Sequence, residues 1–213
     1  MAISLTNADN LAIERQDCYF INDKGVKYYK DGDFAQAVEY YRLAAAMGSV
    51  QAVCNLGYCY MYARSVEKNM ALAMAYFKSA GQKNNVDALY KLGSIYEKGS
   101  EGIEIDNELA VYYYTLAIRA INASGSESPE NYPSLFLSVA KAHMPGGIMN
   151  SSIKYAYAFL QIARRGYELE MAEGVKYHDS QYNETLSLLE DPCFNEIKLY
   201  DDKSFDGSKY LSS

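Results

Sequence analysis

The chain has 213 residues, of which 49% are apolar and 22% are charged, and its 27 acidic residues outnumber its 20 basic ones. The resulting net charge of −7 argues against a nucleic-acid-binding protein, which normally carries a basic surface. No apolar run approaches the ~18 residues that a membrane-spanning helix needs. Residues 1–10 have neither a basic region nor a long apolar stretch, so no secretory signal is visible. We therefore expect a cytoplasmic protein without a membrane span.

Tyrosine occurs 22 times, tryptophan is absent and proline occurs only four times. Few prolines favour uninterrupted helices, and each tyrosine ring needs a wet or hydrogen-bonded end. The four cysteines are Cys18, Cys54, Cys59 and Cys193. In a chain of this length without a visible signal, we expect them to be free thiols in a reducing compartment.

Helical spacing of apolar residues predicts four pairs of helices and one final helix, after an N-terminal lead segment of residues 1–16. The predicted helices span residues 17–30 and 33–47, 50–63 and 67–82, 86–98 and 106–122, 134–144 and 150–166, and finally 169–190. A loop rich in Gly, Ser and Pro, residues 122–133, separates the third pair from the fourth. The acidic, polar tail of residues 191–213 is expected to be extended or poorly ordered.

Two linked motifs recur through the first three pairs. In the first motif, a Gly is followed three residues later by a Tyr, at Gly25, Gly57 and Gly93. The second motif, Ala-x-x-Tyr-(Tyr/Phe)-x-x-Ala, begins at Ala37, Ala73 and Ala110. Three occurrences in the same order indicate repeated helix pairs. Because a Gly inside a helix costs about 1 kcal/mol, we expect each Gly to permit close helix contact while the aromatic rings fill the neighbouring space.

The fourth pair is a weaker copy, since Ala140 and His143 stand where the other pairs have Gly and Tyr. The segment from Glu173 to Tyr177 echoes the segment from Lys24 to Tyr28. This echo predicts a final half-repeat over residues 169–190 that caps the array. Atypical terminal units are expected of stacked repeats because the end face meets water.

These residues resemble the Sel-one-like repeat family of the tetratricopeptide-like superfamily. The resemblance rests on the run from Ala37 to Gly48 and on the lengthened loop between the helices of the second and third pairs. It covers residues 17–190, with units of about 17–48, 49–84, 85–122 and 134–168 and a cap of 169–190. It implies an all-α, right-handed α/α superhelical solenoid of about four helix-pair repeats with a C-terminal capping helix. Members of the family mostly act as adaptors that assemble protein complexes.

If the first helix of each pair lines the concave face of such an array, its off-core positions point into the groove. These positions are Tyr19, Asn22, Val26, Tyr29 and Lys30, then Gln51, Cys54, Tyr58, Met61 and Tyr62, and then Asp87, Tyr90, Ser94, Glu97 and Lys98. Tyrosine offers a large contact area with few rotors and a polar tip. We therefore expect a Tyr-rich groove that binds a partner peptide or helix through Tyr29, Lys30, Tyr58, Met61, Tyr62, Tyr90, Glu97 and Lys98.

Other interpretations stay open. The groove tyrosines could instead be structural, because other tyrosines of the repeats are expected to fill the interfaces between helices. These are Tyr28, Tyr41, Tyr60, Tyr76, Tyr96 and Tyr113. A small-molecule-binding protein or enzyme that uses the groove as a pocket is the main functional alternative. An architectural subunit that meets its own copy is another, and the chain is accordingly expected to be a monomer or a weak homo-oligomer.

Signals of catalysis or metal binding are weak. His143 and His178 are the only histidines, and neither has a neighbour at ligand spacing. The pair Cys54 and Cys59 alone does not supply the roughly four ligands of a zinc site. The segment from Asp202 resembles the start of a calcium-binding loop but ends at Ser213, where a bidentate Glu is required. We expect no metal, no cofactor and no enzymatic activity.

Overall fold

A computed structural model of the chain describes residues 5–175 and 178–200, apart from the side chains of residues 198–200. The α-helices of these residues are α1 Asn7–Glu14, α2 Cys18–Lys30, α3 Phe34–Ala46, α4 Val50–Met61, α5 Met70–Gly81, α6 Val86–Lys98, α7 Asn107–Ser124, α8 Pro133–His143, α9 Ile153–Ala172, α10 Asp179–Leu189 and α11 Asn195–Tyr200. Short 3-10 turns cover Pro129–Asn131 and Pro192–Phe194. Within the described residues the fold is all-α, as predicted, apart from one isolated bridge between Ser100 and Ile103.

Two compact units divide the chain, the first ending at Ile105 and the second beginning at Asp106. In the N-terminal unit, α2 pairs with α3 and α4 pairs with α5, while α3 packs on α4 and α5 on α6. In the C-terminal unit, α8 pairs with α9, and α10 packs on α9. Each second helix of the N-terminal unit therefore contacts the first helix of the next pair, which is the stacking that a repeat array requires.

Side-chain caps fix where the repeated helices begin. The side chains of Asp17, Ser49 and Asn85 accept hydrogen bonds from backbone N–H groups at the starts of α2, α4 and α6. Asp33, Asn69 and Asp106 do the same for α3, α5 and α7. Each cap satisfies a backbone donor that has no partner within the helix. The capping residue type thus recurs with the repeat, and it sets the register of both helices in a pair.

The repeated spacing of Gly and aromatic residues has the packing role that the sequence predicts. A Cβ atom built on Gly25 would lie 2.7 Å from the Tyr41 ring, and one on Gly57 would lie 2.7 Å from the Phe77 ring. The paired helices therefore approach so closely that an aromatic ring occupies the space of a side chain. Beside these contacts, the rings of Tyr28 and Tyr40 stack at 5.3 Å and those of Tyr60 and Tyr76 at 5.6 Å.

Helix α1 lies in the N-terminal lead segment, residues 1–16, where the sequence predicts no helix. A capping box between Thr6 and Asp9 starts it, and Ala12 is buried in the core of the first repeat. Asp9 is fully buried. Its carboxylate accepts hydrogen bonds from Lys24 at 2.6 Å and from the Tyr40 hydroxyl at 3.0 Å. The lead segment is therefore anchored to the first repeat by a buried ion pair.

The predicted capping helix over residues 169–190 is wrong as a single element. Helix α9 continues to Ala172 because Ile162, Gly166 and Tyr167 extend its buried stripe. It does not continue past Ala172 because Gly174, two residues later, has a positive φ of 86°, and α10 begins at Asp179. Lys176 and Tyr177, which carry part of the expected echo of the first repeat, lie outside the described residues.

The expected extended tail is helical in the part that the structure describes. A 3-10 turn over Pro192–Phe194 leads into α11. Phe194 is fully buried, and its ring lies 5.4 Å from that of Tyr157 on α9. This aromatic anchor ties the segment to the C-terminal unit. Residues 201–213, with the incomplete calcium-loop pattern, lie outside the described residues.

Candidate protein-binding face

Side-chain hydrogen bonds join the first helices of successive repeats in the N-terminal unit. The Asn55 amide on α4 donates to the Asn22 side chain on α2 at 3.0 Å. The Gln51 amide on α4 donates to Asp87 on α6 at 3.2 Å, and Asn85 donates to the Gln51 carbonyl at 2.7 Å. We call the side of α2, α4 and α6 that carries these residues, together with Tyr58, Tyr62, Tyr90 and Lys91, the first-helix face.

Aromatic rings extend this face beyond the amide groups. The rings of Tyr58 and Tyr62 are nearly parallel, with centroids 6.3 Å apart. Tyr58 also contacts the edge of Phe77, at 5.1 Å, which ties it to the core of the second repeat. Tyr62 remains 48% exposed. One ring of the stacked pair is therefore held by the core while the other presents its surface to solvent.

Lys91 on α6 crosses between the second and third repeats. Its Nζ lies 5.3 Å from the centroid of the Tyr58 ring and 5.7 Å from that of Tyr90. Among the described residues, no carboxylate oxygen lies within 4 Å of this nitrogen. The two rings therefore supply its close electrostatic contacts, in the geometry of a cation–π interaction.

Burial controls the ionisation of this cluster. It lowers the pKa of the Lys91 ammonium, an effect that the charge of Asp87 partly opposes. It raises the pKa of Tyr58 and of Cys54 well above the usual values, and Asp87 adds to both effects. The tyrosine and the thiol therefore stay neutral, and the lysine carries a charge that its surroundings compensate only in part.

The structure brings some of the predicted groove residues together. Tyr58, Tyr62 and Tyr90 share the first-helix face around Lys91. Tyr29 is half-buried and contacts Phe34 at 5.0 Å, packed against the core of the first repeat. The remaining predicted residues lie on the same three helices, Lys30 and Lys98 exposed and Met61 and Glu97 half-buried.

Three positions that were expected to point into the groove are buried instead. Asn22, Cys54 and Ser94 are 5%, 0% and 9% exposed. Asn22 is buried because its side chain accepts the hydrogen bond from Asn55, and a neutral thiol such as that of Cys54 packs like a small apolar group. These three residues therefore support the face without being available to a partner.

Sequence reasoning missed Asn55 and Lys91. The sequence does contain a signal for these two residues. Asn55 and Lys91 occupy the same position in successive repeats, one helical turn after Gln51 and Asp87. Polar side chains at matching positions on neighbouring first helices are placed to contact each other. Helical periodicity of apolar residues predicts the core but does not reveal such residues, since it considers apolar side chains only.

A separate cleft of about 1120 Å³ lies in the C-terminal unit. On one side it is lined by α7, and on the other by the end of α8, the segment after it and α9. It contains neither Tyr58 nor Tyr90, so it is distinct from the pocket that the small-molecule alternative would place in the Tyr-rich groove.

The described part of the chain offers no group of three or more His, Cys, Asp or Glu side chains that could hold a metal ion. Among the described residues, the cysteines at positions 18, 54, 59 and 193 form no disulfide with one another, and Cys54 and Cys59 are buried. A search of the described helices for a membrane span finds none of sufficient length and hydropathy.

Comparison with protein families matches the model of the Sel1 repeat at three consecutive segments, residues 18–49, 50–85 and 86–122. Each segment contains two successive helices that carry the Gly and aromatic motifs. The matched boundaries fall at the helix caps Ser49 and Asn85, within one residue, so the family model and the structure divide this region in the same way.

Two curated proteins are similar to this chain, and the name of each states a role. Chitin synthase regulatory factor 2 of Schizosaccharomyces pombe is 25% identical over 143 residues, covering 65% of this chain and 26% of that protein. The ERAD-associated E3 ubiquitin-protein ligase component HRD3B of Arabidopsis thaliana is 31% identical over 81 residues, covering 38% of this chain and 13% of that protein. The matched region thus spans about a quarter or less of the length of these relatives.

Solved structures share the fold. The Sel1 repeat protein from Oxalobacter formigenes superposes with a TM-score of 0.57 at 19% identity, over 87% of this chain and 79% of its own. The protein c5321, a protective antigen of uropathogenic Escherichia coli that displays an SLR fold, gives a TM-score of 0.58 at 21% identity, over 97% of this chain and 48% of its own. At these identities the likeness concerns the fold alone.

Proposed function

We propose that this chain, which belongs to the Sel1 repeat family through residues 18–122, is a non-catalytic scaffold that binds a segment of another protein on its first-helix face. Repeats of this kind form a surface in advance of binding, so a partner segment docks with little ordering cost on the scaffold side. The names of the two curated relatives, a regulatory factor and a ligase component, are consistent with work done through other proteins.

One observation carries the proposal: the exposed Tyr62 ring stacks on the core-held Tyr58 ring, and Lys91 lies beside both Tyr58 and Tyr90. Stacked tyrosines give a rigid, amphipathic contact surface, and such rings dominate the energetics of many interfaces. The amide groups of Gln51 and Asn55 are already hydrogen-bonded to neighbouring repeats. They support the helices beneath the rings, and the rings with Lys91 are the groups left to meet a partner.

The chemistry of Lys91 favours a partner segment that carries a carboxylate. Its ammonium is partly buried, and no carboxylate among the described residues lies within 4 Å of it. A Glu or Asp of the partner would compensate this charge in surroundings of reduced dielectric, where such a pair is stronger than in water. We therefore propose an acidic and apolar peptide or helix segment as the occupant, with Tyr62 contacting its apolar part.

We also propose that the protein works in the cytoplasm. A reducing compartment of this kind would keep its four cysteines as thiols. A monomer or weak homo-oligomer remains our expectation for the assembly state.

The proposal is tested by affinity capture with variants matched for exposure. Tyr62 is 48% exposed on the first-helix face, and Tyr112 is 54% exposed on α7. We expect Tyr62→Ala and Lys91→Met to reduce the captured amount of the same partner at least tenfold, while Tyr112→Ala leaves it unchanged. Circular dichroism would first show that all three variants are folded.

A partner captured equally by wild type, Tyr62→Ala and Lys91→Met would place the binding site elsewhere on the chain.

Lys91→Met should also affect stability, because burial lowers the pKa of Lys91. A lowered folded-state pKa means that the charged form opposes folding at pH values below that pKa. The melting temperature of Lys91→Met at pH 7 should therefore not fall below that of the wild type.

A further inference from the structure

The cleft in the C-terminal unit follows one face of α7 for most of the helix. The lining residues of α7 run from Asn107 through Val111, Thr115 and Ile118 to Ala123, at the spacing of a single helical stripe. At 1.5 Å per residue this stripe is about 24 Å long. Such a length suits an elongated segment of a chain better than a compact small molecule.

This stripe differs from the buried face of the same helix. The buried residues of α7 are Ala110, Tyr114, Ala117, Ala120 and Ile121, and none of them lines the cleft. Across the cleft lie apolar side chains of the segment after α8 and of α9, Ile148, Met149 and Phe159 among them. Both walls therefore offer apolar surface to whatever fills the space.

The repeat pattern indicates what kind of element fits there. In the N-terminal unit, the second helix of each pair packs directly on the first helix of the next, α3 on α4 and α5 on α6. Helix α7 is also a second helix, yet its stripe and α9 border a cleft of about 1120 Å³. A helix laid along α7 would bury this stripe in the way that helices cover each other elsewhere in the fold.

Two charged side chains mark the ends of the cleft. Glu108 lines it in the first turn of α7, and Arg119 lines it near the other end, about 16 Å further along at 1.5 Å per residue. No side chain of opposite charge among the described residues lies within 4 Å of either. The cleft thus has an apolar middle, an acidic end and a basic end.

We infer that this cleft is a second docking site, which takes an amphipathic helix of a partner protein bearing an acidic residue against Arg119 and a basic residue about three turns away against Glu108. Binding of this kind places the apolar side of the helix in the groove. The two charges fix the direction of the helix and its register, because reversing either one would bring like charges together. This site does not depend on the first-helix face.

The test uses a displayed library of 18-residue helical peptides with a fixed leucine face and varied charged positions, selected against the full-length chain. We expect the selected peptides to carry one acidic and one basic residue eleven positions apart. Their dissociation constants, measured by fluorescence anisotropy, should rise at least tenfold for Arg119→Glu. The matched control is Lys154→Glu, an exposed residue of α9 outside the cleft, which should leave them unchanged.

A charge-reversal step makes the test specific. In Arg119→Glu both ends of the cleft are acidic, so a peptide with two basic residues should bind this variant more tightly than it binds the wild type. Ile118→Asp, which places a charge on the apolar stripe, should weaken all selected peptides, and circular dichroism would check that it is folded. The inference would be overturned if the library selection yielded no peptide. It would also be overturned if the selected peptides bound Arg119→Glu and Ile118→Asp as tightly as they bind the wild type.

Two other occupants would also overturn it. A concentration-dependent dimer in light scattering that Arg119→Glu dissociates would assign the cleft to a second copy of this chain. Displacement of the selected peptides by micromolar dodecanoate, with loss of dodecanoate binding in Arg119→Glu, would assign it to a small anionic amphiphile.

Discussion

Single residues decide how closely the paired helices of this protein approach. Gly57 faces the ring of Phe77 so closely that a Cβ atom would lie 2.7 Å from it, and Gly25 faces Tyr41 at the same distance. Both rings are held in the core, with Phe77 fully buried and Tyr41 3% exposed. The ring cannot move aside without disturbing its other contacts, so the Gly is required by packing and its conformational freedom is incidental.

Gly57→Ala should therefore destabilise the protein, although Ala is the better helix former. Helix propensity favours Ala by about 1 kcal/mol, whereas overpacking of a filled core costs typically 1–3 kcal/mol. We expect a net loss of about 1 kcal/mol for Gly57→Ala and a larger one for Gly57→Leu, measured by urea unfolding. In a Phe77→Leu background the loss from Gly57→Ala should shrink. An equal loss in both backgrounds would mean that the ring is not the obstacle.

The buried Asp9 carboxylate gives a second prediction at this scale. Burial alone would raise the pKa of Asp9, but the hydrogen bonds from Lys24, Thr6 and Tyr40 outweigh it and lower the pKa to about 2. A depressed folded-state pKa stabilises the fold above the unfolded value of 3.8, and this contribution is lost as pH falls toward 2. The shift corresponds to about 2 kcal/mol at neutral pH.

Asp9→Asn should accordingly lower the free energy of unfolding by about 2 kcal/mol at pH 7. The difference from the wild type should narrow as pH is lowered below 4. Asp31→Asn, a change at an exposed residue that follows α2, serves as the control and should have little effect. A difference that stays constant between pH 7 and pH 3 would contradict the role of the ionised carboxylate.

The loops that join the helices of the second and third repeats differ in the residues that adopt positive φ. In the second pair, Ala63 and Ser65 have positive φ values of 55° and 56°, on either side of Arg64. The corresponding loop of the third pair has Gly99 and Gly102 with φ of 70° and 73°. A left-handed conformation costs a residue with a side chain roughly 1–2 kcal/mol. Arg64, whose guanidinium carbon lies 4.7 Å from the centroid of the Phe34 ring, helps to hold this loop in place.

Ala63→Gly should stabilise the protein by about 0.5–1 kcal/mol, because relief of the left-handed strain exceeds the added freedom of the unfolded chain. The comparison is Ala75→Gly, at an exposed position in the middle of α5, which should destabilise by a similar amount. Thermal unfolding of both variants measures the two effects. If both variants lose stability, the conformation at Ala63 is not strained.

The elements differ in how far the sequence could predict them. Helices α2 to α7 recur with a period, so each supports the assignment of the next, and their caps fall where Asp, Asn or Ser precedes the apolar stripe. Helix α1 has eight residues and only a short apolar pattern. It is stabilised by the capping box of Thr6 and Asp9 and by the ion pair between Asp9 and Lys24. The ion pair joins residues that are distant in the chain, so the local sequence pattern does not reveal it. The sequence pattern does not reveal the junction of α9 and α10, because Gly174 resembles a repeat position although in the structure it follows the end of α9.

For the candidate site, the sequence identified the tyrosines and the helices that carry them. It did not identify Lys91, because a lysine at a single position looks like a solvated residue until rings from two repeats are placed beside it. It also assigned Asn22 to the groove, since the hydrogen bond that buries this side chain comes from Asn55 in the next repeat. Both errors have the same cause, because the surroundings of Lys91 and Asn22 are set by residues of a neighbouring repeat. Such contacts arise when repeats stack, and the pattern within one helix does not show them.

At the scale of the whole molecule, each compact unit offers a different surface. The N-terminal unit presents a rigid stack of tyrosines around a lysine, and the C-terminal unit presents an apolar cleft with a charge at each end. The proposed activity requires no catalytic group, and the groups whose ionisation is most altered, Cys54 and Tyr58, are kept neutral by burial. Under the two proposals, each unit would bind a partner segment of its own.

The central claim is that a partner lies on the first-helix face, and site-specific photo-crosslinking tests it most directly. A photoreactive benzoylphenylalanine would replace Tyr62 in one version of the protein and Tyr112 in the other, two tyrosines of similar exposure. We expect one discrete partner to be crosslinked at position 62 and the same partner to be absent at position 112. We expect Lys91→Met to abolish the product. Equal crosslinking at both positions, or a product that survives Lys91→Met, would contradict it.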